Sequence, residues 1–199
     1  MNRLKESNLK LQPQKCEFIK EEIKYLGHTT RNGVTPDTSK VDAVMKFSIP
    51  KNVKNVKQFL GLIGYYRKFV HNFANIAKPL TNLLKKDQKF KWTEEINKAF
   101  EILKGKLSET LILQFPDYEK PFILTTDASE YAIGGALSQG QLGEDLPVAY
   151  VSRSLNDTEK RYDVTEHEAL ACVHCITHWR HYLYGRKFTL VTDHRALML

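Results

Sequence analysis

Three carboxylates stand at positions in this sequence that could support chemistry. Asp127 follows the apolar stretch FILTT and Asp193 follows the similar stretch FTLVT, so each aspartate closes a predicted strand. Ligand sites of open α/β sheets lie beyond the carboxyl ends of strands, so the two aspartates share one crevice if their strands are neighbours. The predicted helix between them carries Glu166 and Glu168 in its first turn, and either side chain could reach that crevice.

Converging carboxylates are typical of sites for hard divalent cations. Mg²⁺ takes oxygen ligands and keeps several waters, and two such ions about 4 Å apart would bind the attacking and leaving oxygens of a phosphodiester displacement. The alternative is a structural role, which spacing alone favours. Thr165 and Glu168 match a capping box, and Asp193 could cap the helix that follows it.

The same predicted helix contains a second set of residues that can bind metal, Cys172, Cys175, His178 and His181. These are zinc-binding residue types. Their spacing rotates by about 300° in total, so one unbroken helix cannot place all four around one ion. The two cysteines are therefore predicted to pack in the core as small apolar residues, with a two-ligand contribution to a shared site left open.

The elements that must position the carboxylates follow from periodicity. Beyond residue 121 we predict a helix over 165–184 ended by Gly185, a second helix starting at His194, and strands at 122–127, 132–137, 147–155 and 187–193. This order predicts an α/β unit that is cut off at its C-terminal end. TLILQFPDYEKP, with two prolines, is predicted to be a linker before it.

The first half of the chain reads as helical after a short strand at 23–26 and a hairpin turn signal at Asn32 and Gly33. A helix over 39–47 is followed by one apolar helix face and by a further amphipathic helix with Thr93 as its N-cap. Pro79 is predicted to divide the long helical stretch into two helices. Tyr66 is predicted to be core, and Tyr65 could stack on bases.

Composition and charge narrow the class of protein. The chain has 199 residues, 42% of them hydrophobic, but no apolar run of about 18 residues and no apolar segment at its charged N-terminus, so neither a membrane span nor a secretory signal is predicted. Three cysteines are too few for a disulfide framework. Residues 1–109 carry 22 Lys and Arg against 11 Asp and Glu, a net charge of +11, whereas the remainder carries −4. This asymmetry is consistent with a polyanion-binding half beside a carboxylate site.

Six phrases in fixed order give this sequence a family resemblance. KCEF…YLGH, FLGLIGYYRKFV, IAKPLTNLLKK, FKWTEE, FILTTDASEYAIGGALSQ and HYLYGRKFTLVTDH together resemble the pol polyprotein of gypsy-class LTR retrotransposons. The resemblance implies an α+β or α/β fold class, with a helical thumb-like region followed by a truncated ribonuclease H-like mixed sheet with helices. It divides the chain into a reverse transcriptase palm tail (1–35), a thumb or connection region (36–109), a linker (110–120) and a ribonuclease H-like domain (121–199).

The resemblance also assigns roles to residues. Asp127, Glu168 and Asp193 match the family's catalytic carboxylates, which hold two Mg²⁺ or Mn²⁺ ions and cut the RNA strand of an RNA–DNA hybrid. The motif YLGH matches the turn that grips the primer, and the lysines and arginines of the thumb are expected to contact phosphates. The expected nucleic-acid-binding residues are Tyr25, Leu26, Gly27, His28, Lys57, Arg67 and Lys68.

The implied partners are an RNA–DNA hybrid, template–primer nucleic acid and the remainder of the pol polyprotein, without a membrane, inside the cytoplasm or the nucleus. The resemblance leads us to expect that the polymerase aspartates lie upstream of Met1 and that the final metal-binding carboxylate of the family lies beyond Leu199. Three hypotheses follow: a ribonuclease H enzyme fragment, a nucleic-acid-binding remnant that no longer cleaves, and an interaction domain with neither activity.

Overall fold

The computed structural model describes residues 2–86, 88–109 and 112–197. After a short N-terminal helix, α1 (Asn2–Glu6), the chain forms a small antiparallel sheet in the order β1-β2-β3. Its strands are β1 (Ile23–Tyr25), β2 (His28–Thr30) and β3 (Val34–Pro36). The sequence predicted only the first of these strands, although the turn at Asn32 and Gly33 does connect β2 to β3.

The turn between β1 and β2 consists of two residues with positive φ, Leu26 at 47° and Gly27 at 73°. Such turns follow the right-handed twist of the strands that they connect. An added Cβ at Gly27 would lie 2.8 Å from the Tyr66 hydroxyl, so glycine serves both the conformation and the close packing here. The hairpin is thus fitted against the helical region that follows it.

Four helices form the first hydrophobic core, and side-chain caps begin three of them. Asp37 caps α2 (Thr38–Met45), Asn52 caps α3 (Val53–Gly64), and Thr93 caps α5 (Glu94–Ser108) as predicted. α4 (Phe73–Asn82) completes the set. The predicted apolar face is confirmed in part: Phe59, Ile63, Tyr66, Phe69, Val70 and Phe73 are buried in one cluster and Leu62 is half-buried against it, but they lie on α3, on α4 and on the segment between them instead of on one helix. Burial of each such large side chain contributes about 1.5–3 kcal/mol.

The expected division at Pro79 is wrong. Pro79 lies inside α4, where only three helical residues follow it, so few backbone hydrogen bonds are at stake. Burial of Phe73, Ala77 and Leu80 on the two sides of the proline holds the helix together. The chain instead breaks between α3 and α4, at a 3-10 segment (Arg67–Phe69) followed by Asn72 with φ of 55°.

The second half of the chain forms a four-stranded mixed sheet with the order β6-β5-β4-β7. Only the β4–β7 pair is parallel. The strands are β4 (Phe122–Ala128), β5 (Ala132–Gln139), β6 (Leu146–Ser154) and β7 (Phe188–Val191), close to the predicted ranges. The single predicted helix is two helices, α6 (Val164–His178) and α7 (Arg180–Leu183), because the chain bends at Trp179, whose indole is buried in the sheet core.

The helix expected from His194 onward is a 3-10 turn (Arg195–Leu197), and residues 198 and 199 lie outside the described part. The observed class is therefore α+β, with a helical region followed by a mixed sheet, as predicted. Within the described ranges no helix is both long enough and apolar enough to cross a membrane.

The helical region covers the edge strand of the mixed sheet. The Arg67 guanidinium donates to the Ser152 carbonyl of β6, and the Ala74 backbone N–H donates to the Ser152 hydroxyl at 3.0 Å. Tyr150 of β6 packs against the first core, and its ring lies 5.4 Å from that of His71. An edge strand otherwise exposes unpaired backbone groups, so these contacts both protect β6 and join the two halves of the molecule.

Candidate active site

The register of the parallel pair places Asp127 and Asp193 at the same end of the sheet. Thr125 of β4 lies opposite Val191 of β7. Asp127 stands two residues after Thr125, and Asp193 stands two residues after Val191. Both side chains are exposed at this end. The two similar strand sequences thus run side by side in matching register, which is the neighbouring arrangement that the strand-end argument required.

Glu168 faces the two aspartates from α6. Its side chain is only 6% exposed, and its Oε2 atom has no hydrogen-bond partner among the residues that the structure describes. Burial raises the pKa of Glu168 above its usual value, and the negative charges of Asp193 and Asp127 raise it further. A hydrogen bond from the Ala128 backbone and the nearby His194 act in the opposite direction. Glu168 therefore feels the charge of both aspartates from a position that excludes water.

The cap of α6 leaves Glu168 free. Asp163 is the N-cap: its carboxylate accepts from the Glu166 backbone N–H at 2.8 Å, and the Glu166 carboxylate accepts from the Asp163 N–H at 3.0 Å. The capping box predicted from Thr165 and Glu168 is wrong, because the helix begins two residues earlier. The same finding decides between the two glutamates, since Glu166 is exposed and engaged in the cap while Glu168 is buried.

The N-cap alternative for Asp193 has no support in the hydrogen bonds of the described residues. The His194 backbone N–H donates to the Thr192 hydroxyl at 3.2 Å, and the His194 ring lies 3.1 Å from the Thr165 hydroxyl. These contacts tie the chain after β7 to the first turn of α6. They therefore hold Asp193 near Glu168 while its own carboxylate stays exposed to solvent.

Gly135 of β5 sets how closely α6 lies on the sheet. A Cβ at Gly135 would lie 2.8 Å from the Cys175 sulfur and 2.5 Å from the Thr125 carbonyl oxygen. No other residue fits this contact without displacing the helix. Sequence reasoning treated Gly134 and Gly135 as part of a strand and missed this positioning role, for which the only available signal was a glycine inside a strand pattern.

The donor set suits a hard divalent cation, although the carboxylates are not drawn into a closed ligand shell. Asp127, Glu168 and Asp193 offer oxygen atoms, one of them buried and unpartnered, and hard cations take such ligands. Among residues 2–86, 88–109 and 112–197, however, no three His, Cys, Asp or Glu side chains lie close enough together to hold an ion. The residues fit the chemistry of Mg²⁺ or Mn²⁺, and closing the shell requires side-chain movement.

The cysteines on α6 are part of the core, as predicted. Cys175 is fully buried, and Cys172 lies 3.3 Å from the Thr126 hydroxyl on β4. Burial raises the pKa of the Cys175 thiol to about 12. A protonated thiol is a poor metal ligand, and Cys175 points into the sheet, so the positions of both sulfurs follow from packing.

The predicted nucleic-acid-binding residues fall into two places. Tyr25 and Leu26 are exposed at the hairpin, where the Tyr65 hydroxyl donates to the Leu26 carbonyl at 2.5 Å. The Tyr66 hydroxyl donates to the Gly27 carbonyl at 3.1 Å. Tyr66 is 2% exposed and belongs to the core as predicted, whereas Tyr65 remains 53% exposed.

His28 stacks on Tyr65 with 5.5 Å between ring centroids, and Lys68 is close enough to contribute to the lowered pKa of His28 after burial. Arg67 lies beside Lys68 in the 3-10 segment, whereas Lys57 is exposed on α3. The structure therefore gathers the hairpin with Lys68 and Arg67.

Comparison with known proteins agrees with this architecture. Residues 92–190 match the family described as the RNase H-like domain found in reverse transcriptase. Over 98% of its length the chain is 47% identical to the Retrovirus-related Pol polyprotein from transposon 297 of Drosophila melanogaster. It is 38% identical over its whole length to the transposon Tf2-3 polyprotein of Schizosaccharomyces pombe. The chain covers 18% and 15% of these two relatives.

Solved structures share the fold. The foamy viral protease-reverse transcriptase in complex with RNA/DNA hybrid matches 89% of this chain and 24% of its own chain, with a TM-score of 0.73 and 24% identity. The dRH form of that protein in complex with double-stranded DNA matches 86% of this chain and 30% of its own, with the same TM-score and identity. The ribonuclease H-like fold and the resemblance to retrotransposon Pol polyproteins are thereby confirmed. This chain belongs to the reverse transcriptase–ribonuclease H region of the LTR retrotransposon Pol polyprotein family.

Proposed function

We propose that this region cleaves the RNA strand of RNA–DNA hybrids by two-metal hydrolysis with Mg²⁺ or Mn²⁺. The observation that carries the proposal is the convergence of three carboxylates from separate elements. Asp127 and Asp193 lie in matching register on parallel strands, and Glu168 feels both of their charges. A buried carboxylate oxygen without a partner costs free energy, and a cation is the partner that would satisfy it.

The residues would divide the work by their exposure. Asp127 and Asp193, both exposed, would present oxygen ligands at the surface where a nucleic acid strand can approach. Glu168 would supply a ligand from the buried side and keep water from its inner face. Bound divalent ions would activate water and stabilise the negative charge that develops on the phosphate. Gly135 and the Asp163–Glu166 cap would hold α6 at the distance that this arrangement requires.

The basic part of the chain would hold the substrate. We assign residues 1–35 to the palm tail, 36–109 to a thumb or connection region, 110–120 to a linker and 121–199 to the ribonuclease H-like domain. Template–primer and hybrid would contact Tyr25, Leu26, Gly27, His28, Lys57, Arg67 and Lys68. The complexes of the foamy viral enzyme with double-stranded DNA and with RNA/DNA hybrid support this choice of ligand. The remainder of the Pol polyprotein would be the further partner.

One observation favours a second function, a nucleic-acid-binding remnant without cleavage. The described residues hold no closed group of metal ligands, so the ions would have to pull the carboxylates together. Binding of phosphates by lysine and arginine needs no divalent ion, whereas hydrolysis does. Metal dependence therefore separates the two functions.

The test is cleavage of an end-labelled RNA–DNA hybrid with Mg²⁺ or Mn²⁺, beside the same reaction in EDTA. Asp127→Asn is the matched variant, because it removes a charge from an exposed position and keeps the size of the side chain. We expect metal-dependent cleavage that falls at least about 100-fold in the variant, the loss typical of a residue on which a catalytic step depends. Hybrid binding without cleavage at any metal concentration would establish the remnant instead.

A further inference from the structure

A groove lies on the seam between the two halves of the molecule. Its volume is about 590 Å³. One wall comes from the end of α3 and the 3-10 segment, and the other comes from β6 and the last turns of α6. This seam groove is lined chiefly by Tyr65, Arg67, Lys68, Arg153, His174 and His178. Sequence reasoning singled out Arg67 and Lys68 but missed the residues that β6 and α6 add to them.

The seam groove carries positive charge that its own lining does not neutralise. Among residues 2–86, 88–109 and 112–197, no carboxylate lines it. Glu159 binds Arg153 from outside the groove, with the two guanidinium–carboxylate distances at 2.7 and 2.9 Å. Arg67 and Lys68 have no acidic side chain within 4 Å in the part of the chain that the structure describes. Burial lowers the pKa of Lys68, because its ammonium group is partly removed from water. A bound anion would offset the free-energy cost of that desolvation.

Two histidines extend this site onto α6. The Nε2 atom of His174 is buried and has no hydrogen-bond partner within the described part of the chain. The groups facing His174 are Arg153 of β6, Arg67 of the 3-10 segment, His178 of its own helix and Glu159. Burial lowers the pKa of His174, the first three groups lower it further, and Glu159 raises it. Burial likewise lowers the pKa of His178, followed by His181 and Arg67.

The position of the seam groove indicates what it binds. Tyr65 lines it and also stacks on His28 of the hairpin, at 5.5 Å between ring centroids. α6, which supplies His174, carries Glu168 six residues earlier. The seam groove therefore lies between the hairpin side of the molecule and α6, the helix that also carries Glu168. Cations, ring N–H groups and an exposed aromatic ring are the side chains that bind a sugar–phosphate backbone.

We propose that the seam groove binds the phosphodiester backbone of one nucleic acid strand, with Lys68 and His174 as its main contacts. The proposal rests on the proposed function for its choice of ligand, but it concerns binding and requires no divalent ion. With a rotation of the half-buried ring that brings its nitrogen to the groove, His174 would donate to an incoming phosphate, which would favour the charged imidazolium. Binding would then be accompanied by proton uptake by His174, and it would be tighter at mildly acidic pH than at alkaline pH.

The experiment measures binding of a short fluorescein-labelled RNA–DNA hybrid in EDTA by anisotropy, between about 50 and 200 mM salt. We expect Lys68→Gln to weaken binding about 5-fold to 20-fold and to lower the slope of log K against log salt by about one. Lys98→Gln on α5 removes the same charge from an exposed site outside the groove and should leave the affinity within about twofold. Lys68→Arg keeps the charge and should restore most of the affinity that Lys68→Gln loses, and equal circular dichroism spectra of the two variants show that the fold is intact.

The histidine is tested in the same assay. Tightening of binding between about pH 8 and pH 6 should be present in the parent chain and reduced in His174→Gln. Equal affinities and equal salt slopes for Lys68→Gln and Lys98→Gln would overturn the proposal that the groove binds nucleic acid and would leave the proposed cleavage unaffected. If binding depends on Lys68 but the chain does not cleave hybrid under any condition, the proposed cleavage is refuted and the proposed binding in the groove is supported. Binding of a fluorescein-labelled acidic peptide, with no binding of hybrid, would assign the groove to an acidic protein segment and also overturn the proposal.

Discussion

Glu168→Gln removes one buried negative charge and keeps the size of the side chain. Glu168 is 6% exposed, its Oε2 atom has no partner, and its pKa is raised by burial and by the charges of Asp193 and Asp127. Charging this group therefore costs free energy in the folded chain that the unfolded chain does not incur. We expect the variant to be more stable than the parent at neutral pH when divalent ions are absent.

The direction of the pKa shift fixes the pH window. Because the folded pKa lies above the ordinary value of 4.5, the folded chain binds this proton more tightly than the unfolded chain. The stability that Glu168 contributes is present below about pH 4.5 and is lost as the pH rises through the folded pKa. An unpartnered buried polar group costs about 1–3 kcal/mol, and glutamine still buries an amide. We expect a gain of about 1 kcal/mol, or roughly 2–4 °C in Tm for a chain of this length, which disappears near pH 4.

Thermal unfolding in EDTA and in Mg²⁺ tests this reasoning. Mg²⁺ at ten times its Kd should stabilise the parent by about 1.4 kcal/mol, and Glu168→Gln should lose most of that gain. Glu166→Gln is the control, because it removes a charge from the same helical turn on the exposed side and a glutamine can still complete the cap. A Glu168→Gln chain less stable than the parent in EDTA near pH 8 would mean that the carboxylate makes a favourable contact in the fold, and the reasoning would fail.

Three further outcomes follow from the packing. Gly135→Ala should lower the free energy of unfolding by about 1–3 kcal/mol, because its Cβ would lie 2.8 Å from a sulfur on α6. The Cβ of Gly61→Ala on α3 meets nothing within 4 Å, so this variant should gain about 0.5–1 kcal/mol. Equal urea midpoints for the two variants would contradict this. Tyr66→Phe loses the 3.1 Å hydrogen bond to the hairpin turn, so the free energy of unfolding should fall by about 0.5–1.5 kcal/mol. Amide hydrogen exchange over residues 23–36 should accelerate, and unchanged exchange would mean that this contact does not stabilise the hairpin. Burial lowers the pKa of His28 and His174 below 6.5, so the unfolded chain binds these protons at a higher pH than the folded chain does. Stability should therefore fall as the pH drops below about 6.5. Urea unfolding of His174→Gln should show a smaller loss of stability over this pH range than the parent.

The strand ends were predictable because the local pattern and the tertiary arrangement agree. The similar sequences that end in Asp127 and Asp193 became neighbours in register, and apolar runs of that length carry enough information to be read as buried strands. The helical face that contains Phe59 and Ile63 was readable for the same reason, since its period matches the helix. The prediction that Pro79 divides the helix was wrong, because burial on both sides of the proline outweighs the hydrogen bond that it removes. Local helix propensity does not include the free energy of burial.

The seam groove was beyond sequence reasoning because its residues come from distant segments. Lys68, Arg153 and His174 are separated by 85 and 21 residues, and the packing of β6 against the helical region and of α6 on the sheet brings them together. Each residue alone is an ordinary surface or half-buried side chain. Their grouping depends on which edge of the sheet the helices cover, and the strand order that decides this is a tertiary property.

The start of α6 shows how little separates a structural glutamate from a functional one. The segment DVTEHE contains two overlapping capping signals, Asp163 with Glu166 and Thr165 with Glu168. Two residues correspond to about 200° of rotation around a helix, so Glu166 and Glu168 lie on nearly opposite faces and only one of them can face the sheet. With Asp163 as the cap, Glu166 satisfies the first turn, and Glu168 lies two positions further along the helix, buried where it feels the charges of the aspartates. The helix thus satisfies its N-terminus with other residues, and the carboxylate with an oxygen left unpartnered among the described residues is the one that a cation can bind.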